Sequence, residues 1–116
     1  MNKEDTLQMN CVNWFRYQFA KYKLVLFSIP NGGFRNINTA KTMKKTGVVA
    51  GVADLFLSIP NKTYHGFYIE LKIGYNKPTT KQLLFQKQVE LFGYKWICVW
   101  DVDSFMKEIN NYMKDI

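Results

Sequence analysis

The chain has 116 residues, 47 % of them hydrophobic and 16 % aromatic, which is enough for one domain spanning 1–116 with a core that needs no disulfide or structural metal. Sixteen basic residues against nine acidic ones leave a net charge of +7 and point to a polyanionic partner such as DNA. No apolar run approaches the roughly 18 residues of a membrane span, the polar opening MNKEDTL is unlike a signal peptide, and Cys11 and Cys98 form no C-x-x-C pair. The expectation is a cytoplasmic protein with no membrane partner and with both cysteines buried and reduced.

In chain order, residues 4–22 set Leu7, Cys11, Trp14, Phe15, Phe19 and Tyr22 at helical spacing, with Glu4 and Asp5 in the first turn where the macrodipole favours acids. Residues 24–29 form a short apolar run that predicts a strand, broken by Pro30-Asn31-Gly32-Gly33. Asn38 or Thr39 is positioned to cap a short basic helix, TAKTMKK, closed by Gly47. Residues 54–59 and 68–73 read as two strands, and Pro60-Asn61-Lys62-Thr63 between them is turn chemistry, so a hairpin is expected.

After the loop YNKPTT, Thr79 or Thr80 caps a helix running to about Phe92, with Leu84, Phe85, Val89 and Phe92 as apolar positions and Gly93 as its stop. Residues 95–100 read as a strand, and a last helix starts at Asp103 or Ser104 with Phe105, Met106, Ile109 and Met113 on its apolar stripe. The order α-β-α-β-β-α-β-α predicts an α/β fold with a mixed central β-sheet flanked by helices.

The chemistry concentrates in YIELKIG, residues 68–74. Alternation turns Ile69, Leu71 and Ile73 to one face and Tyr68, Glu70 and Lys72 to the other. An isolated E-x-K is ordinarily a solvated surface pair worth about 0–1 kcal/mol. In a hairpin centred near residue 62, however, Asp54 falls opposite Glu70 or a neighbour of it, with paired Cβ atoms about 4.5–5.5 Å apart. Two carboxylates that close raise each other's pKa and cost stability. A divalent cation relieves the conflict, and oxygen ligands at this spacing suit Mg²⁺ or Mn²⁺.

Lys72 on the same face can hold or deprotonate an attacking water and stabilise a phosphate oxyanion. The Leu71 carbonyl between the two side chains is a further oxygen ligand. Gln82, in the first turn of the following helix, is open to two readings, orientation of a water or phosphate and an ordinary solvated helix position. Glu4 taken alone is a dipole-compensating acid. His65, the one histidine, reads as a surface residue, which argues against a histidine-dependent nuclease.

The strings G-V-A-D-L (51–55), I-E-L-K (69–72) and T-K-Q-L-L-F (80–85) resemble the VRR-NUC nucleases of the restriction-endonuclease-like superfamily, named for the pattern PD-(D/E)-x-K. The similarity extends to E-D-T-L-Q (4–8), to P-N-G-G (30–33), and to G-V-x-x-G (47–51) after a basic helix, as in small stand-alone phage and bacterial members. The resemblance implies a restriction-endonuclease-like fold, Asp54 and Glu70 as metal ligands, Lys72 as catalytic lysine, Gln82 as motif glutamine and Glu4 as an N-terminal acid reaching the site. It also implies a homodimeric, metal-dependent endodeoxyribonuclease of branched DNA, including four-way (Holliday) junctions, in a bacterial or phage-infected cell.

The sequence departs from the pattern twice. Ala53 stands where proline usually precedes the metal-binding Asp, and W-I-C-V-W-D (96–101) lacks the family's basic pair.

DNA contacts are expected from Arg35, Lys41, Lys44, Lys45, Lys77 and Lys81, with Gly32 and Gly33 letting backbone amides approach a phosphate. Trp96, Trp100, Phe105 and Tyr112 are candidates for a C2 dimer interface. The alternative to an enzyme is a non-catalytic basic DNA-binding module. A third class is a protein-interaction domain whose charge serves solubility.

Overall fold

The computed structural model describes residues 1–30 and 37–116. The elements are α1 (Lys3–Gln18), β1 (Leu26–Ser28), α2 (Ile37–Lys45), β2 (Leu55–Leu57), β3 (Phe67–Leu71), α3 (Thr80–Leu91), β4 (Lys95–Val99) and α4 (Val102–Met113). They follow the expected order, and the strands form a mixed sheet ordered β1-β2-β3-β4. The first two pairings are antiparallel, and β3–β4 is parallel, with α3 as the crossover.

Local chemistry sets the helix ends. The Asn2 side chain accepts from the Asp5 amide at 2.7 Å and caps α1, whose buried residues Leu7, Cys11 and Phe15 recur every fourth position. α1 is shorter than the expected 4–22. Phe19 leaves helical geometry to pack against Phe15 and edge-on to Trp14, and Ala20–Tyr22 tighten into a 3₁₀ turn.

α2 starts at Ile37, so Asn38 and Thr39 fall inside its first turn and do not precede it as caps. Its end is a Schellman motif. Gly47, at φ 109°, donates to the Lys44 carbonyl and Val48 to that of Met43. The cap of α4 is Asp101 instead of Asp103 or Ser104. Its carboxylate accepts from the Ser104 amide at 2.7 Å, so Ser104 is the residue being capped.

The core lies on one face of the sheet. Leu55, Leu57, Phe67, Ile69, Leu71 and Val99 from alternate strand positions meet Leu7, Cys11 and Phe15 of α1 and Phe105, Ile109, Tyr112 and Met113 of α4. Trp14 packs edge-on against Phe105, with centroids 6.0 Å apart, and joins the two helices. Tyr112 replaces Met106 on the stripe expected for α4 because its hydroxyl donates to the Ile59 carbonyl at 2.6 Å.

Two sequence-based expectations fail here. Trp96, Phe105 and Tyr112 are buried within the chain and are not surface for a dimer, while Trp100 stays 42 % exposed with its indole N–H bound to the Asn76 carbonyl. α3 buries none of its residues, and of the apolar positions read for it Leu84 and Phe92 are exposed, beside Leu83 and Leu91. Truncation is therefore costly on α4 and cheap on α3. Phe105→Ala is expected to lose about 3–5 kcal/mol, whereas Leu91→Ala stays within about 0.5 kcal/mol of wild type. Urea denaturation of both variants checks this.

Candidate active site

The hairpin register decides what meets on the second sheet face. Leu55 pairs with Ile69, Phe56 with Tyr68 and Leu57 with Phe67. One further step sets Asp54 opposite Glu70, and the parallel register sets Glu70 beside Cys98. At the outer side the Ile29 amide donates to the Asp54 carbonyl at 2.9 Å. The face thus carries two cross-sheet rows, Phe27–Phe56–Tyr68–Trp96 and Ile29–Asp54–Glu70–Cys98.

Asp54 is held by more than its strand. Its Oδ2 accepts from the Leu71 amide at 2.8 Å, a bond across the β2–β3 seam that aims the carboxylate at the Glu70-Leu71-Lys72 backbone. Ala53 before it is fully buried, where a proline would otherwise stiffen the chain. Further upstream, Gly51 adopts φ +92°, and a Cβ there would stand 2.6 Å from the Lys81 carbonyl oxygen. Only glycine allows this approach, which seats the segment leading to Asp54 against the first turn of α3.

Glu70 is 1 % exposed, and its Oε1 has no hydrogen-bond partner among the described residues. The carboxyl is pushed up to about 9, first by burial, then by its hydrogen bond with Asp54 and the Asp54 charge; Lys72 opposes the rise and Glu4 adds to it. Glu70 is therefore no member of a solvated surface pair. Lys72 is half-buried beside it, with its own amide donating to the Val99 carbonyl at 3.0 Å.

Glu4 belongs to the same group of charges. The first turn of α1 comes within electrostatic reach of the pair, and the Glu4 carboxyl is raised by burial and by Asp54 and lowered by Lys72. Among the described residues no cluster of three or more His, Cys, Asp or Glu side chains stands at metal-binding spacing. Asp54 and Glu70 are the pair whose oxygens converge, with the Leu71 carbonyl on the strand between them. An orphaned, buried carboxylate oxygen beside a second carboxylate is a donor set that suits a hard divalent cation.

Gln82 is more constrained than its position in the sequence suggests. It closes a capping box with Thr79, its Oε1 accepting from the Thr79 amide at 2.8 Å while its own amide donates to the Thr79 hydroxyl at 3.2 Å. Only its NH₂ remains to reach a phosphate or water. Lys77 and Lys81 flank this capping turn and are exposed, as are Lys41, Lys44 and Lys45 on α2. Gly32, Gly33 and Arg35 lie outside the described residues. His65 is exposed, packs edge-on against Tyr94, and stands in a different row from the carboxylates.

Cys98 was missed as a neighbour of the site. Cys11 is buried as expected, but Cys98 is half-exposed, and its thiol is pushed up to about 11 by burial and then by the Glu70 charge. The alternation of WICVW places Cys98 with the outward residues of its strand, and that was the available signal. Its register against Glu70 depends on the crossover.

The Glu70 environment has a thermodynamic consequence. An unfolded glutamate titrates near 4.5, whereas the folded one holds its proton to about 9. Between these values the folded chain binds the extra proton, so stability is greatest at the acidic end and falls as pH rises through the window. Thermal melts in EDTA from pH 5 to pH 9 are expected to show a declining Tm for wild type and a flatter profile for Glu70→Gln. A wild-type Tm that climbs over this range would contradict the assignment.

Comparison with protein-family models and with curated proteins finds no match for this sequence. Among solved structures, one titled "VRR_NUC domain protein" superposes with a TM-score of 0.84 at 27 % identity, covering 97 % of this chain and 89 % of that one. The sheet and its flanking helices thus have the restriction-endonuclease-like architecture that the sequence motifs implied.

Proposed function

On the premise that this chain carries a VRR-NUC nuclease domain, we propose that it is a Mg²⁺- or Mn²⁺-dependent endodeoxyribonuclease acting on branched DNA, four-way (Holliday) junctions among its substrates. The observation that carries the reading is the buried, unpartnered Glu70 oxygen beside Asp54, with Lys72 alongside. Asp54, Glu70 and the Leu71 carbonyl would hold the cation. Bound there, it supplies Lewis-acid charge to the phosphoryl group and lowers the pKa of a water nucleophile.

The chain's own groups do the rest. Lys72 holds the attacking water and offsets charge that develops on the phosphoryl oxygens. The free NH₂ of Gln82 donates to a phosphate oxygen or to that water, while its carbonyl oxygen stays in the capping box and keeps the side chain in place. Glu4 closes the cluster from the α1 side and keeps local charge negative enough to favour a cation.

Affinity for DNA comes from phosphate contacts by Lys41, Lys44, Lys45, Lys77 and Lys81, joined by Arg35 and the Gly32-Gly33 backbone, and so weakens steeply with salt. Among the described residues no helix stands out from the fold as a base-reading element, which favours recognition of shape. Two symmetric cuts in a junction call for a C2 homodimer, working in the cytoplasm of a bacterial or phage-infected cell.

The test uses a labelled four-way junction, a flap and a plain duplex with Mn²⁺ or EDTA. Wild type is expected to cut branched DNA with Mn²⁺ and to stop in EDTA. Asp54→Ala, Glu70→Ala and Lys72→Ala each lower cleavage by roughly 10²-fold or more, and the two carboxylate variants bind DNA as well as wild type or tighter. Folded protein that binds DNA and cuts nothing under any metal would establish the non-catalytic module instead.

A further inference from the structure

Beyond the catalytic row, one feature of the fold is unused. Among the described residues β1 is an edge strand, and between its outer side and α1 lies a cleft of about 320 Å³. That is within the range of small-ligand sites. Its α1 wall is mixed, with Asp5, Gln8, Asn13 and Arg16 interleaved with Met9 and Val12 at helical spacing. The first turn of the same helix brings Glu4 to the carboxylate cluster, so the cleft and the site share a wall.

The β1 wall is equally open. The Val25 carbonyl and the Ile29 amide bond to β2, so alternation directs the Phe27 amide and carbonyl to Phe56. The amides and carbonyls of Leu26 and Ser28 consequently point to the outer edge, where both residues line the cleft. Phe27 sits at the lip. It is 45 % exposed, and it is braced edge-on by Phe56, which stacks on Tyr68 at 4.3 Å. Strand geometry sets its Cα about 8 Å from that of Asp54, two residues along and one strand over.

An exposed, braced ring, amide and guanidinium donors, carbonyl acceptors and a +7 chain match the face, edge and backbone of a nucleobase. We infer that the α1–β1 cleft holds an unpaired base next to the scissile phosphodiester, with Phe27 stacked on its face and Gln8, Asn13 and Arg16 hydrogen-bonding its edge. This rests on the nuclease reading and gives it a source of branch preference, since a paired base inside a duplex cannot enter the cleft.

The test measures binding in EDTA, without cleavage. A flap with 2-aminopurine at the first unpaired position is titrated with wild type, Phe27→Ala, Phe27→Trp and Arg16→Ala, beside a blunt duplex. Wild type and Phe27→Trp are expected to quench the probe. Phe27→Ala abolishes the quench and binds the flap about tenfold more weakly, the scale of one lost base–aromatic stack. Arg16→Ala also weakens flap binding, and none of the three variants changes duplex affinity beyond what Arg16 contributes as a charge.

Quenching that survives Phe27→Ala, or an equal loss of affinity on flap and duplex, overturns the inference. Its failure is separable from that of the nuclease reading, which falls if wild type cuts no DNA with Mn²⁺.

Discussion

Two carboxylates are forced together across a strand pair, and the rest of the site is organised around that conflict. The apolar pairs Leu55–Ile69 and Leu57–Phe67 must face the core, and a shift of one residue would turn them out to solvent. With that register set by burial, Asp54 and Glu70 have no freedom to separate. The conflict is met by the proton that Glu70 keeps to about 9 while hydrogen-bonded to Asp54, at the cost of burying that carboxyl without a partner for Oε1 among the described residues.

Several local features then hold the conflict in one geometry. The Leu71 amide ties down Asp54, and Gly51 lets the preceding loop rest on the α3 backbone. The Thr79–Gln82 capping box fixes the start of α3, and α1 packing through Leu7, Cys11 and Phe15 delivers Glu4. Each feature is ordinary alone. Together they fix two converging carboxyl groups and a lysine at one end of the sheet in a strongly basic chain.

Much of this was legible in the sequence because the signals were local. The element order, the hairpin centre near residue 62, the strand alternation and the cap at Thr79 follow from periodicity and turn chemistry over a few residues. What stayed hidden depends on tertiary placement. Glu70 lies on a face whose pattern reads as polar, yet it is buried, on a strand flanked by β2 and β4. Cys98 comes next to it only through a parallel crossover, whose register no local pattern encodes. Leu83, Leu84 and Leu91 of α3 have helical spacing but turn outward while Phe85 packs on Tyr68, and Trp96 and Tyr112 fill space inside the molecule. The α4 cap moved from Asp103 to Asp101, a boundary shift within the usual uncertainty of helix ends.

The most direct test of the central claim is anomalous diffraction from crystals soaked in Mn²⁺ at neutral pH. The account predicts one strong manganese peak with carboxylate oxygens of both Asp54 and Glu70 in its coordination shell. Side chains turned to opposite faces of the sheet, or manganese bound elsewhere with Glu70 left without a ligand, would contradict it.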